Sequence, residues 1–305
     1  MSIERLDRFR GSMVGLAVGD ALGVAAEFKK RGEFEPIEDI RGGGVFNLLP
    51  GQWTDDTSMA LCLAHSLIES GGFDPLDQME RYLAWRDEGY MSSTGKCFDI
   101  GVATNKSLIR FVVTQEPYCG DIDPLTAGNG SLMRLAPVPI FFHDDRDATI
   151  RFAKKSSNTT HSAPECVEAC GLFAAMLYLA FGGASKEDIL LRHGFETILS
   201  PKIAALGRGS YRGKGIEEIE STGYVVHTLE AALWCFYKTH SLKECLLEAA
   251  NLGYDADTVA AVAGQLAGAF YGYPAIPADW RAKLFQGEEI QLVADRLALA
   301  AGRRA

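Results

Sequence analysis

The chain has 305 residues, enough for one large domain or two ordinary ones with a sizeable buried core. Hydrophobic residues make up 47% of it and charged residues 23%, which is the balance of a soluble globular protein. Its formal net charge of −10 leaves no broad basic field for a nucleic-acid backbone or an anionic membrane surface. We therefore expect neither nucleic acid nor a membrane as a partner.

The cysteines and the apolar runs indicate the compartment. Seven cysteines at scattered spacings do not form a disulfide framework, and Cys166 and Cys170 are expected to be buried thiols in an apolar helix. The opening residues MSIERLDRFRGS mix acids with bases and lack the apolar core of a signal peptide. The longest apolar run, 169–181, is too short to span a bilayer. The sequence therefore predicts a cytoplasmic protein without a membrane span.

Helical periodicity dominates from the first segment onward. Gly15, Gly19 and Gly23 recur at every fourth residue, a spacing that lets a second helix approach closely in a soluble core. Asp20 and Glu27 lie seven residues apart and share one face if the helix is continuous. We expect Asp20 to be a buried acid bonded to backbone, and Glu27 to be the better candidate for a functional site. The apolar face of this helix comprises Leu6, Phe9, Met13, Leu16 and Ala17.

A first cluster of oxygen ligands follows the polar, glycine-containing loop 31–51. Thr54, Asp55 and Asp56 stand together at the start of a predicted helix. A pair of glycines at 71–72 marks the end of that helix. A helix cap requires one such side chain, and this site supplies a hydroxyl and two carboxylates. Carboxylate and hydroxyl oxygens are the ligands that Mg²⁺, Mn²⁺ and Ca²⁺ prefer. The buried stripe of this helix comprises Met59, Cys62, Leu63 and Leu67.

The middle of the chain reads as helices joined by polar loops. The pattern predicts helices around 76–86, around 149–156, from Pro164 onward, over 224–237 and over 242–252. The segment 137–142 is the one modest strand signal, and 207–215 is a basic, flexible loop. The tail around Arg304 is expected to be solvated.

Three polar positions in these loops can serve a ligand. Asp99 stands in a polar, glycine-containing loop. Asn129 lies between two glycines, where the backbone can approach a ligand or offer N–H groups to phosphate, although a turn before a helix looks the same. His161 lies in the connection before Pro164, where a histidine is more often a surface residue or a cap.

A second cluster of oxygen ligands opens the segment 253–272, GYDADTVAAVAGQLAGAFYG. Asp255, Asp257 and Thr258 precede an Ala/Gly-rich helix expected to begin at Val259, and this pattern is not that of an EF-hand loop. Helix capping is again the alternative interpretation. Two such clusters, far apart in the sequence, suit a two-metal site assembled from both ends of the chain.

Six motifs resemble those of the ADP-ribosylglycohydrolase family and occur in the family's order, from about residue 10 to about residue 272. They are GLAVGDALGVAAEF, WTDDTSMAL, GNGSLMR, THSAP, GYVVHTLEAALW and GYDADTVAAVAGQLAGAFYG. The resemblance implies one all-α domain over 1–305, a compact orthogonal helical bundle with a central two-metal cleft. One position departs from the family pattern, because Tyr254 stands where the family commonly has a second glycine.

The resemblance also implies a role for each matched residue. Two Mg²⁺ or Mn²⁺ ions would be the cofactors, an ADP-ribosylated protein the substrate and ADP-ribose the product. Asp99 matches the acid that faces the guanidinium in arginine-directed members, which favours ADP-ribosylarginine over ADP-ribosylserine. Glu27 or Asp56 would act as the general base. The implied metal ligands are Thr54, Asp55, Asp56, Asp255, Asp257 and Thr258; the implied substrate contacts are Asp99, Asn129, Gly130, Ser131, Met133, His161 and Tyr224.

Two other classes of function remain open at this point. A module that binds ADP-ribose without turnover would keep the pocket, but Glu27 and all six ligand positions are present. A binuclear metal phosphatase would use similar ligands, but such a site usually recruits histidine, and no histidine accompanies either acidic cluster. An assay distinguishes the three classes: a glycohydrolase releases ADP-ribose, a phosphatase releases phosphate, and a binding module releases neither.

Overall fold

The fold is built from α-helices. The computed structural model describes residues 2–195 and 200–301, and within those ranges it contains no β-strand beyond isolated bridges. The prediction of an all-α fold is confirmed, while Arg304 lies outside the described residues. In chain order the helices are α1 (Ile3–Gly23), α2 (Asp55–Ser70), α3 (Pro75–Glu88), α4 (Val102–Thr114), α5 (Pro137–Phe141), α6 (Arg146–Asn158), α7 (Pro164–Phe181), α8 (Lys186–Leu191), α9 (Pro201–Gly207), α10 (Val225–Lys238), α11 (Leu242–Ala250), α12 (Ala256–Tyr271), α13 (Ala278–Lys283) and α14 (Gly287–Ala301).

Helices α1 and α12 form the central pair of the core, and glycines set their separation. A Cβ atom added to Gly264 would lie 2.0 Å from the carbonyl oxygen of Gly15, and one added to Gly19 would lie 2.1 Å from that of Ala260. Each distance is far below van der Waals contact, so the two backbones touch directly at these positions. The close approach predicted from the glycine spacing is confirmed. It aligns the end of α1 with the start of α12, where the acidic residues lie.

Three local predictions differ from the structure. The segment 137–142 is helical, because Pro137 at the first helical position presets φ and a short apolar run does not distinguish a buried strand from a buried helix. The last glycine-rich helix begins at Ala256, so Asp257 lies in its first turn. Segment 207–215 contains a 3₁₀ turn, Ser210–Gly213.

The apolar helix α7 lies in the core. Its 18 residues have the length and mean hydropathy that a membrane span requires, but 72% of them are buried inside the fold. The core helix of a soluble protein gives the same pattern, so α7 is weak evidence for a membrane segment. Cys166 and Cys170 on this helix are free and buried, as predicted.

Candidate active-site cleft

The two acidic clusters meet at the starts of α2 and α12. The Thr54 hydroxyl lies 3.1 Å from Oδ2 of Asp56 and 3.3 Å from Oδ2 of Asp257. The Thr258 hydroxyl lies 3.3 Å from Oδ2 of Asp56. Segments about two hundred positions apart in the sequence therefore share one set of oxygen atoms. Neither Thr54 nor Asp255, the residues at the N-cap positions, caps its helix through its side chain, so capping does not explain the cluster.

Asp20 on α1 fixes the start of α2 through hydrogen bonds. Its carboxylate accepts hydrogen bonds from the backbone N–H groups of Thr54 (2.9 Å) and Thr57 (3.1 Å) and from the hydroxyl of Thr57 (2.6 Å). The prediction of a buried acid bonded to backbone is confirmed. Because these N–H groups belong to the start of α2, Asp20 on α1 caps that helix. Its Oδ1 also lies 3.1 Å from the Thr54 hydroxyl, which Asp20 thus shares with Asp56 and Asp257.

Glu27 does not share a helix with Asp20. Helix α1 ends at Gly23, and the following turn places the Glu27 N–H on the carbonyl of Gly23 at 3.1 Å. The carboxylate oxygens of Glu27, Asp99 and Asp257 lie within 4.8 Å of one another.

Several carboxylate oxygens of the cluster lack a protein partner. Oε2 of Glu27, Oδ1 of Asp56 and Oδ1 of Asp257 are buried without a hydrogen bond. Among the described residues no lysine, arginine or histidine forms an ion pair with these three side chains. Buried carboxylates without compensation are costly, and hard divalent cations are the groups that compensate them. The donor set and its unpaired atoms therefore fit divalent metal ions.

Burial and mutual repulsion raise the pKa values of these carboxyl groups. Burial, then the charge of Asp99, raises the pKa of Glu27 to about 10. Burial, then the charge of Asp255, raises the pKa of Asp99 to about 7. Burial, then the charge of Asp20 for Asp56 and that of Glu27 for Asp257, also raises the pKa values of these two aspartates well above the ordinary range. A bound cation acts in the opposite direction, because positive charge favours the carboxylate form.

Three residues around the cluster have a left-handed backbone. Phe28, Asp99 and Tyr254 have φ values of 58°, 57° and 56°, a conformation that few non-glycine residues adopt. The N–H of Phe28 donates to the carbonyl of Tyr254 (2.6 Å), and the N–H of Tyr254 donates to the carbonyl of Lys29 (2.7 Å). These bonds tie the segment of Glu27 to that of Asp255. Tyr254 thus adopts the geometry of the glycine it replaces, and its side chain is not part of the cleft lining.

A cleft of about 730 Å³ opens above the cluster. Asp56, Asp257 and Thr54 lie below its floor, and the Ser131 hydroxyl lies behind its wall, where it accepts a hydrogen bond from Ser157. The lining also contains Phe28 and three residues of or near α4 that the sequence did not single out: Thr104, Lys106 and Arg110. The predicted residues that line the cleft are Glu27, Asp55, Asp99, Asn129, Gly130, Met133, His161, Tyr224, Asp255 and Thr258.

One wall of the cleft offers donors to an anion. The amide of Asn129 donates to Oδ2 of Asp255 at 2.6 Å, which joins this wall to the acidic cluster. The backbone N–H groups of Gly130 and Ser131 donate to no acceptor within the described part of the chain. Adjacent N–H groups of this kind form a concavity that binds anions.

His161 adds a neutral donor to the same wall. Burial, then the positive charge of Arg134, lowers the pKa of His161 to about 3, so the ring is uncharged near neutral pH. The Thr160 hydroxyl accepts from Nη2 of Arg134 at 2.7 Å and lies 2.8 Å from Nδ1 of His161. Because Arg134 only donates, the Thr160 hydroxyl is free to donate to Nδ1. We therefore assign the ring proton to Nε2, on the side that faces Gly130.

Tyr224 is fixed at the far side of this wall by a pair of charged residues. Its hydroxyl donates to a carboxylate oxygen of Glu165 and accepts from Nζ of Lys202 at 2.8 Å. The Lys202 ammonium also lies 4.9 Å from the centre of the ring. No sequence pattern indicates this triad, because Glu165, Lys202 and Tyr224 are far apart along the chain.

Replacing Gly130 by alanine is expected to weaken ADP-ribose binding about tenfold or more, because overpacking of this kind costs about 1–3 kcal/mol. The added Cβ would lie 2.8 Å from Cε1 of His161 and would displace the ring. Isothermal titration with ADP-ribose measures the effect. Gly101→Ala is the matched control, since it also lines the cleft but meets only Thr104, at 3.9 Å. Equal affinities for the two variants would contradict this assignment of the wall.

The fold and the site together define an all-α protein with a buried, carboxylate-rich cluster that fits divalent metal ions beneath a ligand-sized cleft. The chain belongs to the ADP-ribosylglycohydrolase family, whose model matches residues 1–305. The predicted family resemblance is thus confirmed.

Individual relatives are similar over nearly the whole chain. The protein named ADP-ribosylarginine hydrolase Tri1 from Pseudomonas putida (strain GB-1) is 44% identical over 294 residues, 96% of this chain and 78% of that protein. Its namesake from Serratia proteamaculans (strain 568) is 42% identical over 96% of this chain and 80% of that protein. A solved structure described as an ADP-ribosylglycohydrolase-related protein complex has a TM-score of 0.88 and 43% sequence identity, and the match covers 98% of this chain and 99% of that one.

Proposed function

We propose that this protein is a metal-dependent hydrolase that releases ADP-ribose from ADP-ribosylated arginine side chains of proteins. The observation that carries the proposal is a group of buried carboxylates, each with one oxygen that has no hydrogen-bond partner, placed between a wall of N–H donors and Asp99. The names of the relatives from Pseudomonas and Serratia support the arginine linkage. The seven free thiols of the chain support a cytoplasmic location, where thiols stay reduced.

Two divalent cations, Mg²⁺ or Mn²⁺, would be held by both acidic clusters. Thr54, Asp55 and Asp56 would contribute from the start of α2, and Asp255, Asp257 and Thr258 from the start of α12. When bound, such ions supply positive charge that orients ribose hydroxyls and lowers the pKa of a water molecule. The remaining steps belong to residues of the chain itself.

The phosphates of ADP-ribose bind to the donor wall of the cleft, which we call the phosphate wall. It consists of the N–H groups of Gly130 and Ser131 and the Nε2–H of His161. A neutral donor suits this position, because it holds a phosphate oxygen without adding a charge that the nearby acidic cluster would attract. Tyr224, fixed by Glu165 and Lys202, lies beside the phosphate wall and contacts the nucleoside part of the ligand. These contacts fix the anomeric carbon above the acidic floor.

Glu27 is placed to accept a proton from the attacking water. It lines the cleft, and its Oε2 has no hydrogen-bond partner. Asp56 lies below the floor in contact with Thr54 and Thr258, which suits a ligand better than a base. Asp99 holds the guanidinium of the substrate through charge-assisted hydrogen bonds. The carboxylates of Glu27 and Asp99 lie within 4.8 Å of each other, so the attacked bond lies between them.

The central experiment compares ADP-ribosylarginine and ADP-ribosylserine peptides, with Mg²⁺ or Mn²⁺ and with a chelator. We expect release of ADP-ribose from the arginine peptide with metal present, and none with chelator. Tight binding of ADP-ribose without release would instead identify a binding module, and release of inorganic phosphate would identify a phosphatase.

Replacing Asp99 by asparagine is expected to lower kcat/KM for the arginine peptide about 10²-fold, because removing one partner of a desolvated charge pair costs several kcal/mol. Asparagine matches the shape of aspartate and tolerates the left-handed backbone at this position. ADP-ribose affinity should stay within about twofold, since Asp99 lies outside the phosphate wall. Unchanged kcat/KM would remove Asp99 from guanidinium recognition.

A further inference from the structure

Three phenylalanine side chains form a row that begins with Phe28 in the cleft lining and continues beyond the lining through Phe46 and Phe98; we call this row the aromatic rim. We propose that the aromatic rim stacks on the guanidinium group and adjoining methylenes of the modified arginine, and that Phe28 thereby contributes to the choice of substrate linkage. This inference rests on the proposed function and extends it from Asp99 to an apolar surface.

The row connects the two acids that face the leaving group. The ring centroids of Phe28 and Phe46 lie 6.5 Å apart at an interplanar angle of 69°, and those of Phe46 and Phe98 lie 5.2 Å apart at 55°. Phe28 directly follows Glu27, and Phe98 directly precedes Asp99. The aromatic rim therefore joins the two chain segments that carry Glu27 and Asp99.

Phe28 is exposed although it is large and apolar. Its relative exposure is 61%, and it belongs to the lining of the cleft. A single exposed phenylalanine needs no explanation elsewhere on a surface. Here it also occupies a left-handed backbone conformation, with φ at 58°, which is sterically unfavourable for a non-glycine residue. Strained residues that persist beside a cleft commonly serve its ligand.

The backbone holds the aromatic rim rigidly. The N–H of Phe28 bonds to the carbonyl of Tyr254 at 2.6 Å. Phe46 stands on a short turn closed by two bonds between Gly43 and Leu48, at 2.8 and 2.9 Å. That turn is pressed onto the end of α1, since a Cβ added to Gly44 would lie 2.1 Å from the carbonyl oxygen of Val24. A surface held in this way loses little entropy when a flat group stacks on it.

The order of the binding groups along the cleft places the aromatic rim beside the leaving group, which is the modified arginine side chain. The phosphate wall joins the acidic floor through Asn129 and Asp255. The aromatic rim adjoins the acidic floor through the segments of Glu27 and Asp99. The carboxylates of these two residues lie close to that of Asp257, which is a different member of the cluster from Asp255. With the phosphates on the Asn129 side and the anomeric carbon above the floor, the modified side chain leaves past Phe28.

The chemistry of guanidinium fits this corner of the cleft. A guanidinium group is planar and weakly hydrated, so it stacks on an aromatic face while its N–H groups donate to carboxylates. Asp99 supplies the carboxylate, and the aromatic rim supplies the faces. A serine linkage presents neither a planar cation nor a long apolar stem, so it gains nothing from the rim.

The test compares Phe28→Leu with Phe28→Tyr in the full-length protein loaded with Mg²⁺ or Mn²⁺. We expect Phe28→Leu to raise KM for the ADP-ribosylarginine peptide about fivefold or more, and Phe28→Tyr, which keeps the ring face, to stay within about twofold of the wild type. The affinity of both variants for ADP-ribose should match the wild type. Leu49→Ala, an exposed apolar residue of the same loop outside the aromatic rim, is the matched control.

The outcomes separate this inference from the proposed function. If the wild type releases ADP-ribose from the arginine peptide and Phe28→Leu has an unchanged KM, the aromatic rim plays no part and the function stands. Equal losses in Phe28→Leu and Phe28→Tyr would also overturn stacking, since the ring would then not be the active feature. If the wild type itself releases no ADP-ribose from that peptide, the proposed function fails first.

Discussion

Replacing Asp257 by asparagine is expected to reduce metal-dependent release of ADP-ribose by about 10³-fold or more, because a lost cation removes several kcal/mol of transition-state stabilisation and about 1.4 kcal/mol corresponds to tenfold in rate. Asp257 is 1% exposed, and its Oδ1 has no protein partner. The asparagine amide fills the same space but removes one negative charge from the ligand set. Turnover of the ADP-ribosylarginine peptide measures the effect.

Stabilisation of the folded protein by metal is a second measurement of Asp257→Asn, and it does not depend on catalysis. A ligand at one hundred times its Kd stabilises the folded protein by about 2.7 kcal/mol, so the wild type should gain about that much at a matching metal concentration. Asp257→Asn should lose this gain, yet unfold no more easily than the wild type in chelator, since it relieves repulsion among buried carboxylates. Asp147→Asn, an exposed aspartate on α6, controls for the change in net charge. Full metal stabilisation of Asp257→Asn would contradict the proposed ligand set.

Replacing Gly264 by alanine is expected to lower the free energy of unfolding by about 3 kcal/mol or more, at the upper end of the range for overpacked cores. The added methyl group would lie 2.0 Å from the carbonyl oxygen of Gly15, and neither backbone can move aside without separating α1 from α12. Denaturant unfolding in chelator measures the change without any contribution from metal.

Gly72→Ala is the matched control for this substitution. Gly72 has no heavy atom within 4 Å of an added Cβ and no positive φ, so alanine there should change the free energy of unfolding by less than about 0.5 kcal/mol. Because α1 carries Asp20 and α12 carries Asp257, Gly264→Ala should also weaken metal stabilisation. Equal stability of the two variants would show that the helices can separate at little cost.

The sequence alone predicts the helical fold and the meeting of the two acidic clusters. Glycines at four-residue spacing reveal a close helix pair, and three oxygen ligands at each of two helix starts exceed what a cap requires. These signals are local, so they can be read without coordinates. The prediction of a strand at the short apolar segment 137–142 was wrong, because an apolar run of this length does not distinguish a buried strand from a buried helix.

Other parts of the site depend on contacts between distant segments. The sequence singled out Glu27, but the backbone bonds that hold its segment against Tyr254 are tertiary contacts. The pairing of Phe28 with Tyr254, and the chain from Arg134 through Thr160 to His161, join residues that no periodicity relates. Left-handed backbone at Phe28 and Tyr254 also lies outside sequence reasoning, because neither residue type favours it.

The pairing of α1 with α12 has a consequence for biosynthesis. The glycine-lined face of α1 is synthesised more than two hundred residues before α12, Ala256–Tyr271, which covers it closely in the described part of the chain. This groove is therefore filled, and Asp20 and Asp257 stand on one floor, only after α12 has been made. Truncated products would carry the first acidic cluster without the second, so an interrupted synthesis yields no partially active hydrolase.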